Sequence, residues 1–147
     1  MNDQAIEQEI QEKGLTAPRV TPADIEANIV HELYFTAADG FRFGWLTEDH
    51  PDIEDREVVN RIAQSISVSS YARTSSEIDC NSGMPLPLNL LTFCVLILRN
   101  GFTVTGESAC ASPENFDAEI GRKIARQNAV QKIWPLMGYA LKEKLAA

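Results

Sequence analysis

Two arginines four residues apart, Arg122 and Arg126, are the residues whose type and spacing most directly suggest chemistry. On a helix they stand beside each other on one face. A planar guanidinium meets two phosphate or carboxylate oxygens at once, so such a pair can clamp an anion. Arg99 is a third cation in the same stretch. Phe102 and Phe116 supply aromatic faces for a base, and Asn115 and Thr105 supply amide and hydroxyl donors. Arg99, Phe102, Thr105, Asn115, Phe116, Arg122 and Arg126 are therefore the candidate ligand-binding set. A second reading stays open at this level: Arg122 and Arg126 as a solvated face paired with Glu119 and neighbouring acids.

Other chemistries find less support. His31 and His50 lie 19 residues apart, with neither HExxH nor another metal spacing. Cys80, Cys94 and Cys110 match no zinc or redox pattern, and their odd number argues against a disulfide framework. Cys94 reads as a core residue. Glu107, Glu114, Asp117 and Glu119 read as partners of a helix start rather than an acid/base pair. The Ser-rich run before Met84 carries no GxSxG or SxxK, and the chain has no P-loop or GxGxxG. The expectation is a binding protein and not an enzyme, with no metal and no cofactor.

The elements that must position these residues start at Asn100-Gly101. This pair between two apolar runs predicts a two-residue hairpin loop, with Arg99 facing Phe102, Ile97 facing Val104 and Val95 facing Gly106. Leu98, Leu96 and Cys94 then share a face with Thr103, Thr105 and Glu107. The first strand, apolar on both faces, is expected to be central and covered on both sides. After it, Ser112 and Pro113 predict a helix from about Pro113 to Ile133, ended by Pro135. Its buried stripe is expected to be Phe116, Ile120 and Ile124. Gly121 and Ala125 form a smooth second face that another backbone or a ligand could approach. A short final helix should follow Pro135.

Upstream, Thr21-Pro22-Ala23-Asp24 is a capped helix start, with Ile25, Ile29, Val30 and Leu33 on one face and His31 as a surface cap near its end. Leu33 to Thr36 should run into a strand, and Ala38-Asp39-Gly40 should turn. A helix over about 53–66 and a strand near Ser67–Tyr71 are also predicted. The fold class is α+β: an antiparallel sheet with a central hairpin, packed by a long C-terminal helix and an N-terminal helix. Residues 1–147 read as a single domain, with 1–20 a short helix or a frayed tail.

The 147 residues can bury a core without disulfides. No apolar run approaches the ~20 residues of a membrane span, and the polar, acidic N-terminus is unlike a secretory signal, so a cytoplasmic location is expected. The net charge of −8 is uneven. Residues 1–98 hold 6 Lys/Arg against 16 Asp/Glu, whereas residues 99–147 hold 7 against 5. Such a chain is poorly suited to duplex nucleic acid, but a small anion needs only a few placed cations.

The run LLTFCVLILRNGFTVTGESACASPENFDAEIGRKIARQNAVQKIWPLMGYALKEKL resembles the C-terminal part of a family of small tailed-phage accessory proteins, and TPADIEANIVHELYFTAADG resembles its N-terminal segment. The resemblance covers Thr21–Gly40 and Leu90–Leu145. Residues of about 45–82 depart from it and read as an insertion. The family is similar to the phage anti-defence sponges that counter Thoeris immunity. The resemblance implies a homo-oligomer, a dimer or a trimer of dimers. It would sequester a cyclic ADP-ribose signal uncleaved, with cyclic oligonucleotides of the CBASS pathway as further ligands. It assigns no ligand contact residue by residue. Two alternatives remain: an acidic inhibitor that binds a basic surface of a host protein, and a small nucleotide-processing enzyme.

Overall fold

The computed structural model describes residues 2–41 and 86–147. The helix expected at 53–66, the strand near Ser67–Tyr71 and the insertion of 45–82 lie outside the described residues. The described part is α+β: helices α1 (Asp3–Glu12) and α2 (Pro22–Asn28), then strands β1 (Ile29–Thr36), β2 (Leu91–Leu98) and β3 (Thr103–Ala109), and a long helix α3 (Ala118–Ala146). Single 3-10 turns, Leu86–Leu90 and Pro113–Asn115, precede β2 and α3.

The residues expected as a helix or a tail form α1. The Asn2 side chain caps it by accepting from Gln4 N at 3.0 Å, and Gly14, just beyond its end, takes φ +65°. α1 buries no residue of its own and is tied down by polar contacts. Arg19 donates twice to Glu7, at 2.5 and 2.6 Å, and Trp134 Nε1 donates to Asp3 at 3.3 Å.

α2 starts as its sequence requires, with Thr21 and Asp24 in a reciprocal capping box and Pro22 in the first turn. It is shorter than expected. The run IVHELYFT is rich in β-branched and aromatic side chains, and it becomes strand from Ile29 onward. Only Ile25 of the expected helical face is in the helix, and His31 lies exposed in β1, not at a helix end. The capping pattern then recurs. Thr36 N donates to Asp39 at 2.8 Å and Asp39 N to Thr36 Oγ1 at 3.2 Å, so residues 37–41 are helical where a turn was expected.

The sheet has the order β1-β2-β3, all antiparallel, with β2 central as the sequence implied. The hairpin differs by one residue. Gly101 N donates to Leu98 O and Leu98 N to Phe102 O, both at 2.9 Å, which makes the loop Arg99-Asn100-Gly101. Gly101 takes φ +84°, while Asn100 instead accepts from Phe102 N through its side chain at 3.0 Å. A left-handed Gly in third place is the three-residue alternative to the two-residue loop. The register moves with it: Leu96 opposes Val104, Ile97 opposes Thr103 and Cys94 opposes Gly106. A one-residue slip exchanges faces. The buried Cys94, Leu96 and Leu98 are therefore joined by Val104 and Gly106, not by Thr103, Thr105 and Glu107.

α3 corrects the sequence reading three times. It begins at Ala118, capped by Asp117, which accepts from Ile120 N at 2.9 Å; Ser112 makes no side-chain cap. It also runs through Pro135 to Ala146 as one helix. An interior proline costs about 3 kcal/mol through a lost hydrogen bond and a clash. Here Pro135 is exposed, while buried Ile133 and the core-packed Trp134 and Met137 hold the helix on either side.

Finally, its buried face is Gly121, Ala125, Ala129 and Ile133, whereas Ile120 and Ile124 are 55% and 42% exposed and Phe116 is half-buried. Close approach is the reason. A Cβ on Gly106 would lie 2.1 Å from Ala125 O and 2.3 Å from Ala129 N. Helix backbone and strand backbone meet here, and no isoleucine fits between them.

Candidate functional site

Arg126 is the cation most constrained by this fold. The stripe Gly121–Ala125–Ala129 seats α3 on β2 and β3, and Arg126, one position on, falls between α2 and β1. Its Nη1 and Nη2 donate to both oxygens of Glu26 at 3.1 and 2.8 Å, and its Nε and Nη2 donate to Glu32 Oε1 at 2.9 and 2.6 Å. Tyr34 Oη donates to the other Glu32 oxygen at 2.9 Å. These carboxylates hold the guanidinium charged, and hydrogen bonds from Arg126 lower the Glu32 carboxyl below its ordinary range. Burial, then the bond to Glu32, pushes the Tyr34 phenol up to about 12. The arrangement is a clasp joining three elements, and it uses the planar fork on the protein's own acids.

The other predicted residues are dispersed. Arg122 is exposed and bonds its own helix, donating from Nε to Ala118 O at 3.3 Å. Asn115 is exposed in the turn before α3, and Phe116 closes that turn half-buried. Thr105 is exposed on the sheet face opposite α3. Arg99 and Phe102, both exposed, share the hairpin tip. The structure brings together this last pair and leaves the remainder apart.

Among the described residues, two of the open clefts along α3 contain cations. The larger, about 1200 Å³, lies between α1, α2 and α3 and is lined by Asp3, Glu26, Gln131, Trp134 and the clasped Arg126. Its carboxylates disfavour an anion. The smaller, about 510 Å³, lies where the hairpin tip, α2 and the last turns of α3 meet. Arg19, Arg99 and Lys144 line it with the amides of Asn28 and Asn100, over an apolar floor that includes Val20, Met137 and Leu141. Arg99 is anchored through its backbone, whose N–H donates to Asn28 O at 3.0 Å. Arg19 is held by Glu7, and Asp24 is turned into its own capping box. Arg99 and Lys144 make no ion pair among the described residues.

Sequence reasoning found Arg99 but missed Arg19, Asn28, Asn100 and Lys144. Lys144 reaches the cleft because α3 continues past Pro135, and no local pattern signals that. Among the described residues no group of His, Cys, Asp and Glu could hold a metal ion, and no helix is long and apolar enough to cross a membrane.

Comparison with known proteins places the chain by its sequence. Residues 20–145 match the model of the Phage protein (N4 Gp49/phage Sf6 gene 66) family, and the chain belongs to that family. No curated protein and no solved structure gives a match.

Proposed function

We propose that this member of the phage family is a sponge that binds a small cyclic nucleotide in the cleft beside the hairpin tip and holds it uncleaved. The observation that supports this reading is the pair Arg99 and Lys144. They face one cleft without a carboxylate partner among the described residues, in a chain whose net charge is −8. Among the described residues, Lys13, Arg19, Lys123, Arg126 and Lys132 are drawn to the chain's own acids. Two that remain open to one concavity suit an anion from outside.

The rest of the cleft fits the same class of ligand. Its volume, about 510 Å³, falls within the roughly 300–1,000 Å³ of small-molecule sites. Asn28 and Asn100 can meet ribose hydroxyls or a base edge. A cyclic ADP-ribose isomer, the signal implied by the resemblance to anti-Thoeris sponges, carries two phosphates, a purine and ribose hydroxyls. Cyclic oligonucleotides share that chemistry.

The test is recovery of ligand. The full-length protein is mixed with a cyclic ADP-ribose isomer, freed of excess by gel filtration and heat-denatured, and the supernatant is chromatographed. Intact nucleotide in stoichiometric amount is the expected result. An altered nucleotide would make the protein an enzyme. No nucleotide, with cyclic oligonucleotides equally absent, would remove the sponge reading and favour a protein partner.

A further inference from the structure

Arg19 stands between two parts of the molecule. It borders the cleft beside the hairpin tip, with Arg99 and Lys144, and it also borders the groove against α1 that Glu7 and Gln11 line. Its neighbours in the chain are anchored, because Val20 packs on the core and Thr21 caps α2. The guanidinium is bound on the α1 side, where Nη1 and Nη2 donate to the two oxygens of Glu7. Asp24, which also borders the cleft, accepts from Thr21 N and Oγ1 and is committed to the capping box.

α1 is the loosely held party in this contact. It buries none of its residues. Ile6 and Ile10, on its apolar side, line a cleft of about 220 Å³ with Val20, Pro22 and Trp134 among the described residues. A helix seated over an unfilled gap gains little from packing. Besides the Glu7–Arg19 pair, its polar ties to the body among the described residues run from Asp3 to Gln131 and Trp134, at 3.4 and 3.3 Å. The bidentate pair is the firmest of these. A fork that meets two carboxylate oxygens also meets two oxygens of a phosphate. Glu7 and a phosphate in the cleft are therefore rivals for one donor.

With the nucleotide reading of the cleft as its premise, we infer that Arg19 is a third cation of that cleft, withheld by Glu7. α1 is then a latch that an anionic ligand displaces. The coupling is reciprocal: whatever Glu7 costs the ligand, bound ligand costs the docking of α1.

Calorimetric titration of a cyclic ADP-ribose isomer into the full-length protein tests this with Glu7→Gln, Arg19→Gln and the double variant. Glu7→Gln keeps the size of the side chain and removes the rival charge. It should tighten binding about two- to fivefold, the range of a partly exposed ion pair. The double variant should bind about tenfold or more weakly than Glu7→Gln, since a charge-assisted contact is lost. In the Arg19→Gln background, replacing Glu7 should change nothing, because its effect passes through Arg19. Amide hydrogen exchange in residues 3–12 should quicken when the unmodified protein is saturated with the nucleotide. A Glu7→Gln protein that binds no tighter, or a gain that persists without Arg19, overturns the latch and leaves the sponge reading standing. So does exchange in α1 that the nucleotide leaves unchanged or slows. No heat of binding in any of the four proteins overturns both.

Discussion

The clasp around Arg126 and the cleft around Arg99 are built from the same kinds of residue and hold their arginines differently. In the clasp, four hydrogen bonds from one guanidinium reach two glutamates on two elements. In the cleft, Arg99 is placed by its backbone, and its side chain lines open space with Lys144. The difference teaches that an arginine's type and its place on a helix do not say what it binds. What decides is whether the fold delivers a carboxylate to it. An arginine supplied with acids from α2 and β1 is part of the scaffold, and one left without them is the one the proposed function assigns to a ligand.

The comparison depends on α3 being seated where it is, because both regions use it. Gly106→Ala attacks that seat, and it carries the largest expected effect. The new Cβ would be 2.1 Å from Ala125 O, which is backbone and cannot rotate away. A loss of about 3 kcal/mol or more is expected. Denaturant unfolding measures it, and a variant within about 1 kcal/mol of the unmodified protein would show that the contact is looser than this geometry implies.

Arg126→Ala separates the two regions. It should cost about 1–2 kcal/mol, since the charges are partly exposed and solvent weakens each bond. Nucleotide affinity should stay within about twofold, well under the tenfold that 1.4 kcal/mol would bring. Thermal melts with titration calorimetry on the same sample check both. A stable Arg126→Ala protein that no longer binds would make the clasp the site and reverse the comparison.

The smallest effect concerns α1, which borders the acidic cleft. Arg19 holds the Glu7 carboxyl at about 2, below the usual 4.5. A carboxyl lowered on folding contributes stability above its unfolded pKa, and that contribution is lost as pH falls from about 4.5 through about 2. Trp134, bonded to Asp3 of α1, reports the docking by its fluorescence. Acidification over that window should shift the emission, and Glu7→Gln should remove part of the shift. Identical titrations of the two proteins would mean that the Glu7–Arg19 pair does not hold α1.

Much of this fold was legible, and the failures share a cause. The capping box at Thr21, the central strand and the turn at Asn100-Gly101 are written in local chemistry, and each appeared. The hairpin register was off by one because Asn100 satisfied its side chain on Phe102 N and left the left-handed conformation to Gly101 alone. The inner face of α3 was missed because hydrophobicity favoured Ile120 and Ile124. The space against Gly106, however, admits only small residues, and that is a property of two elements together. The site suffered the same way. Arg99 could be named from sequence, but Arg19, Asn28 and Lys144 converge on it only after α2 is cut short and α3 passes Pro135. Likewise Arg126 looked available because Glu26 and Glu32 lie about a hundred residues away in sequence.

The most direct test of the central claim is calorimetric titration of a cyclic ADP-ribose isomer into the unmodified protein and into Arg99→Ala. The guanidinium is exposed, so its removal should leave the fold and melting temperature unchanged. Loss of one charge-assisted phosphate contact corresponds to about 1.5–3 kcal/mol, so the Arg99→Ala dissociation constant should rise roughly ten- to a hundredfold. Equal affinity in the two proteins would contradict the assignment of the cleft, and no heat of binding in the unmodified protein would contradict the account as a whole.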